Sequence, residues 1–144
     1  VKNNSSIDKI RSFNRFYTGF IGLLNKKLIY SNYTLQEVRV LFEINCTTYI
    51  TAKQIREMLR MDKGYLSRIL LKFDKLGILK KEIDITDGRT YKLSLTQKGK
   101  LEFSKLNQAS ELQIMSFLSN LDEQDICMLT KNMENIQNIL LKIK

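Results

Sequence analysis

Between Leu66 and Leu95 the apolar residues change spacing from that of a helix to that of a strand, and they do so across one glycine. Leu66, Ile69, Leu70, Phe73 and Leu76 recur at three- and four-residue steps, which puts them on one helix face. Asp62 stands where an N-cap belongs, and Gly77 stands where a left-handed residue ends a helix. Leu79-Lys80-Lys81-Glu82-Ile83-Asp84-Ile85 then partly alternates, and Tyr91-Lys92-Leu93-Ser94-Leu95 alternates fully. That period belongs to half-buried strands. Thr86-Asp87-Gly88-Arg89-Thr90 lies between them, and Asp-Gly at such a place predicts a hairpin turn. Few folds put a hairpin directly behind a short helix.

The flanks narrow the choice. Ile7, Ile10, Phe13, Tyr17, Phe20 and Leu24 mark an amphipathic first helix, capped near Ser5 or Ser6 and fading around Ser31-Asn32. Thr34-Leu35-Gln36-Glu37 has the form of a capping box and opens a second helix through Val38, Leu41, Phe42 and Ile44. Thr51-Ala52-Lys53-Gln54 repeats the device for a short third helix with Ile55, Met58 and Leu59 on one face. Two short helices joined tightly make a helix-turn-helix, and the hairpin behind them is a wing. Thr96 caps a fifth helix carrying Leu101, Phe103, Leu106, Leu112, Met115 and Leu118. Asn120-Leu121-Asp122-Glu123 starts a last one with Ile126, Leu129, Met133, Ile136, Leu140 and Ile143. The expected fold is mainly α with a small β-hairpin wing. One domain, 1–144, is expected to hold a winged helix-turn-helix lobe at 34–99, with further helices at 5–31 and 100–143.

Charge points to an anionic partner. Residues 51–100 carry 13 basic and 6 acidic groups, whereas residues 101–144 carry 4 and 6, so the excess sits on the helix-turn-helix and wing. The chain has no histidine, no phosphate-binding loop and no nucleophile-base pair, so no catalytic residue, metal site or cofactor is expected. Cys46 and Cys127 have no ligand spacing and are expected to be inert structural thiols of a reducing cytoplasm. No apolar run is long enough for a membrane span. Val1-Lys2-Asn3-Asn4-Ser5-Ser6 has no apolar stretch, so no secretory signal is expected.

Turning the fourth helix inward on Leu66, Ile69, Leu70 and Phe73 leaves Gly64, Ser67, Arg68, Leu71, Lys72 and Lys75 outward. Lys63 and Tyr65 flank this face. Arg68 can donate two parallel bonds to guanine or grip a phosphate. Gly64 would allow a close approach to the duplex. In the wing, Arg89 is placed to enter a narrow minor groove. Asp87 can orient its guanidinium through charge-assisted hydrogen bonds. Leu71 is placed either to touch a thymine methyl or to pack against the wing.

Three runs, Asp62-Lys63-Gly64-Tyr65-Leu66-Ser67-Arg68-Ile69-Leu70, Phe73-Asp74-Lys75-Leu76-Gly77-Ile78-Leu79 and Asp87-Gly88-Arg89, followed by Leu93-Ser94-Leu95-Thr96-Gln97-Lys98-Gly99, resemble the MarR (multiple antibiotic resistance regulator) family. Leu71 departs from it, standing where that family often has a basic residue. The resemblance implies a homodimer of triangular outline, joined through 5–31 and 100–143, that reads a pseudo-palindromic operator in double-stranded DNA. It implies base or phosphate contacts from Ser67 and Arg68 and a wing-tip pair of Asp87 and Arg89. It implies repression relieved by a small lipophilic or phenolic effector, with Phe13, Tyr17, Phe20 and Phe42 as candidate lining residues. Two other readings stay open: the regulatory module of a longer acetyltransferase fusion, and a winged helix used only for protein contact.

Overall fold

The computed structural model describes residues 4–28 and 32–143, with side chains for 5–22 and 32–143. Ser31 and the Leu24 side chain therefore lie outside the described residues. The elements run α1 (Asn4–Leu28), α2 (Leu35–Asn45), α3 (Ala52–Leu59), α4 (Lys63–Lys75), β1 (Leu79–Ile83), β2 (Tyr91–Leu95), α5 (Gln97–Leu118) and α6 (Glu123–Leu140). The chain divides into two compact units, 1–109 and 110–144. This is a winged helix-turn-helix architecture, mostly helical with one antiparallel hairpin.

In the first unit the core gathers Val40, Leu41 and Ile44 of α2, Ile55 of α3, Leu66, Ile69, Leu70 and Phe73 of α4, and Ile78, Leu79, Leu93, Leu95 and Leu106. Phe73 is the largest side chain fully excluded from solvent. Both capping boxes form. Thr34 accepts from the Glu37 amide, while Glu37 accepts from the Thr34 amide; Thr51 and Gln54 repeat the exchange. Each satisfies two amides that a helix start leaves without partners. The α3–α4 turn is held by Arg60, which adopts φ 49 and ends α3 in the left-handed region.

Three expectations about apolar faces need correction. Met58 is largely exposed, so Ile55 and the half-buried Leu59 anchor α3. Leu76 lies at the last turn of α4 and is also exposed, since the helix ends before that stripe reaches the core again. Phe42 is half exposed; its ring packs on Phe103 with centroids 6.2 Å apart.

The hairpin aligns Leu79 with Leu95, Lys81 with Leu93 and Ile83 with Tyr91. One pairing was invisible in the sequence. Ile50, just ahead of the α3 cap, exchanges two backbone hydrogen bonds with Leu93, at 3.1 and 2.8 Å. That bridge fastens the root of the hairpin to the loop between α2 and α3.

The second unit contains α6, capped by Asp122, whose carboxylate accepts from the Asp125 amide at 2.8 Å. The cap falls within the expected run Asn120-Leu121-Asp122-Glu123, at Asp122. No residue of α6 is buried, and Leu129, Met133, Ile136 and Leu140 line one exposed face. No described helix is long and apolar enough to cross a membrane.

Candidate nucleic-acid interface

The candidate interface is built on α4. Asp62 accepts from the Tyr65 amide at 2.9 Å, which fixes the helix start. The first turn holds no acidic residue and begins with Lys63. A cation there opposes the helix macrodipole and costs local stability, whereas α6 has Glu123 and Asp125 in its first turn. Positive charge at the α4 start suits an anion brought from outside. The other end is tied to the start of α5. Gly77 adopts φ 69 as the stop, Lys98 donates to the Leu76 carbonyl at 2.8 Å, and Thr96 donates to the Gly77 carbonyl at 2.7 Å.

Between these anchors Gly64, Ser67, Arg68 and Leu71 face solvent. The Ser67 hydroxyl donates to the Lys63 carbonyl at 2.8 Å, which leaves its oxygen free to accept. The Arg68 guanidinium lies 5.7 Å from the centre of the Tyr65 ring. Tyr65 is half-buried against the core, so its main role in this geometry is to brace Arg68. At Gly64 an added Cβ would press on the Asp62 carboxylate at 3.2 Å, so the capping side chain would have to give way.

Lys72 is placed otherwise than the helical wheel suggests. Its ammonium donates to both Glu37 oxygens at 3.0 and 2.9 Å and to the Asn32 carbonyl at 3.1 Å. It also sits 5.4 Å from the Tyr33 ring centre. Tyr33 meets Phe73 edge-on at 6.2 Å. Burial, followed by the charges of Glu102 and Glu37, pushes the Tyr33 phenol above its usual range.

The wing differs from the expected Asp-Gly turn. Its strands stop at Ile83 and resume at Tyr91, so the connection runs over seven residues, 84–90, where the alternation left five, 86–90. Gly88 does not take the positive φ that such a tight turn requires. Two aspartates hold the connection instead. Asp84 accepts from the Thr86 amide at 3.0 Å and hydroxyl at 2.7 Å and pairs with Lys92 at 3.2 Å. The Thr86 bonds come first among the causes that hold its carboxyl below the usual range. Asp87 accepts from the Arg89 amide at 3.1 Å and the Thr90 hydroxyl at 2.9 Å. Asp87 thus orients the Arg89 backbone, and it makes no ion pair with the Arg89 guanidinium among the described residues. Arg89 remains exposed, and neither it, Lys63 nor Arg68 enters an ion pair among the described residues.

Comparison with known proteins fits this geometry. The MarR family model matches residues 31–90, which span α2 to the end of the wing. That segment is similar to the MarR family. No curated protein matches the sequence. Among solved structures, Escherichia coli MarR in its apo form is 22% identical, with a TM-score of 0.75, over 88% of this chain and 94% of that one. Streptococcus pneumoniae FabT, solved in complex with DNA, is 17% identical with a TM-score of 0.77, covering 99% of this chain and 100% of its own. PcaV from Streptomyces coelicolor, solved with its natural ligand, is 18% identical with a TM-score of 0.70, over 88% and 89%.

The ligand-lining residues suggested by the MarR resemblance fall in two groups. Phe13 and Tyr17 stack at 5.4 Å, Tyr17 and Phe20 at 6.5 Å, all along α1. Phe42 packs on α5 instead. Cys46 and Cys127 are free and exposed, so neither serves core packing. No cluster of metal-ligating side chains occurs among the described residues.

Proposed function

We propose that this MarR-type chain is a cytoplasmic, sequence-specific DNA-binding transcription regulator. It acts as a homodimer on a pseudo-palindromic operator and represses until a small lipophilic molecule releases it. One observation carries the reading: α4 is anchored at both ends while Ser67 and Arg68 face outward, and the adjoining wing presents Arg89 from a fixed backbone. A helix held this way can enter a major groove while the wing arginine reaches the neighbouring minor groove. Lys63, Gly64 and Tyr65 serve the approach of the helix start, and Asp87 serves the wing. The DNA complex of FabT and the ligand complex of PcaV support the two halves of the proposal by analogy of fold.

Dimerisation through 5–31 and 100–143 rests on unpartnered apolar surface. Ile10, Phe16, Leu112 and Met115 are all well exposed, as is the Leu129 to Leu140 face of α6. Such surface on terminal helices suits burial against a second copy. Sedimentation at micromolar concentration should give twice the mass of one chain. A monomer there would remove the two-fold operator from the proposal.

The DNA reading is tested by titrating a labelled duplex from upstream of the chain's own gene against a scrambled duplex. Arg68→Ala is expected to weaken specific binding by about 1–3 kcal/mol and to narrow the gap between the two duplexes. Arg89→Ala is expected to weaken it too, most on A·T-rich flanks. Equal affinity for both duplexes, indifferent to Arg68→Ala, would favour a winged helix used only for protein contact.

A further inference from the structure

We infer that Lys72 is a positioning residue: through Glu37 it clamps the recognition helix to the start of α2, and so sets how Ser67 and Arg68 meet DNA. The inference rests on the DNA-binding reading of α4. A lysine on the outer side of a recognition helix is ordinarily assigned to a phosphate. The geometry argues against that here. All three ammonium hydrogens have acceptors in place: two Glu37 oxygens and the Asn32 carbonyl. The Glu37 side chain is 10% exposed, so drawing Lys72 away to a phosphate would strand a nearly buried carboxylate. Removing one partner of such a pair costs far more than the pair's net contribution.

Glu37 also closes the α2 capping box by accepting from the Thr34 amide at 2.8 Å. One carboxylate thus joins the first turn of α2 to the third turn of α4. Tyr33 adds a second tie, its ring lying under the Lys72 ammonium and edge-on to Phe73. Segment 32–37 therefore grips α4 at two successive residues, Lys72 and Phe73. Arg68 lies four residues before Lys72, about 6 Å along the axis and on the same side of the helix. A tilt released at Lys72 reaches the reading residues directly.

The two roles predict opposite results for one variant. If Lys72 were a phosphate contact restrained by Glu37, Glu37→Gln would free the ammonium and tighten binding. If Lys72 is a clamp, Glu37→Gln weakens binding. Glutamine keeps an oxygen for the Thr34 amide, so the α2 cap survives. We expect Glu37→Gln and Lys72→Met each to weaken specific binding about five- to tenfold, with the double variant no weaker than either single one. The slope of log affinity against log salt should stay at the wild-type value for Lys72→Met, and Lys72→Arg should recover part of the loss.

The clamp is overturned if Glu37→Gln leaves affinity unchanged or raises it. A slope for Lys72→Met shallower by about 0.9, as for one lost phosphate contact, overturns it equally. Amide exchange from Ser67 to Phe73 in the free protein supplies a readout without DNA. Both single variants should speed it to a similar degree while thermal unfolding still shows one folded state. Should the wild-type chain bind no DNA, the regulatory reading fails and exchange alone decides the clamp. Unchanged exchange in both variants sinks the clamp whether or not the protein binds DNA.

Discussion

Gly99→Ala should destabilise the fold by about 2–3 kcal/mol, although alanine in place of glycine ordinarily favours a helix by about 1 kcal/mol. The reason is space. A Cβ at Gly99 would lie 2.3 Å from the Ile78 carbonyl oxygen and 3.2 Å from the Leu95 Cβ. The carbonyl cannot retreat cheaply, because it accepts the Thr96 amide at 3.0 Å while Thr96 also holds Gly77. Gly99 lets the first turn of α5 lie against Ile78, just after α4, and Leu95 of β2. Thermal unfolding at fixed protein concentration should show a midpoint lower by roughly 6–10 °C. Gly88→Ala is the matched control, since nothing lies within 4 Å and its φ is not positive. A Gly99→Ala protein as stable as wild type would show that α5 does not pack this closely.

The affinity for DNA should fall about a thousandfold between 50 and 200 mM monovalent salt. The chain offers Lys63, Arg68 and Arg89 free of ion pairs among the described residues. A dimer doubles them, giving about six contacts and a slope near −5 for log affinity against log salt. Lys72, Lys81 and Lys92 are excluded from the count because Glu37, Asp74 and Asp84 already neutralise them. Anisotropy titrations across that salt range measure the slope directly. A slope near zero would contradict a groove-binding dimer and leave the basic middle of the chain without a nucleic-acid role.

Much of the lobe was legible because its signals are local. Thr34, Thr51, Asp62 and Gly77 act on their own helix ends within a few residues, so spacing alone finds them. The strands were legible from alternation. What the sequence hid depends on distant partners. Lys72 looks like a free cation on a helical wheel, and only the fold brings Glu37, thirty-five residues earlier, into contact with it. Ile50 precedes a helix cap with nothing around it to announce a strand, yet the fold presses it to Leu93. The wing misled for a different reason. Alternation carries the first strand on to Ile85, but Asp84 and Asp87, backed by Thr86 and Thr90, favour a longer self-bonded loop. Neither Asp84 nor Glu37 stood out as part of the site, although the Asp-x-Thr spacing at 84–86 is a readable sign of an Asx turn.

The bonds inside that loop have a consequence for how quickly and how tightly a groove can be met. A flexible tip must give up its conformational freedom at the moment of contact, and that loss subtracts from affinity. Here the Asp84 and Asp87 bonds hold the backbone in the free chain, and the Ile50 bridge holds the hairpin's root. Only the Arg89 side chain is left to be ordered, a cost of about 0.5–1.5 kcal/mol. Because the bond to Asp87 uses the Arg89 amide and not its side chain, the tip residue can be exchanged without changing the shape of the loop.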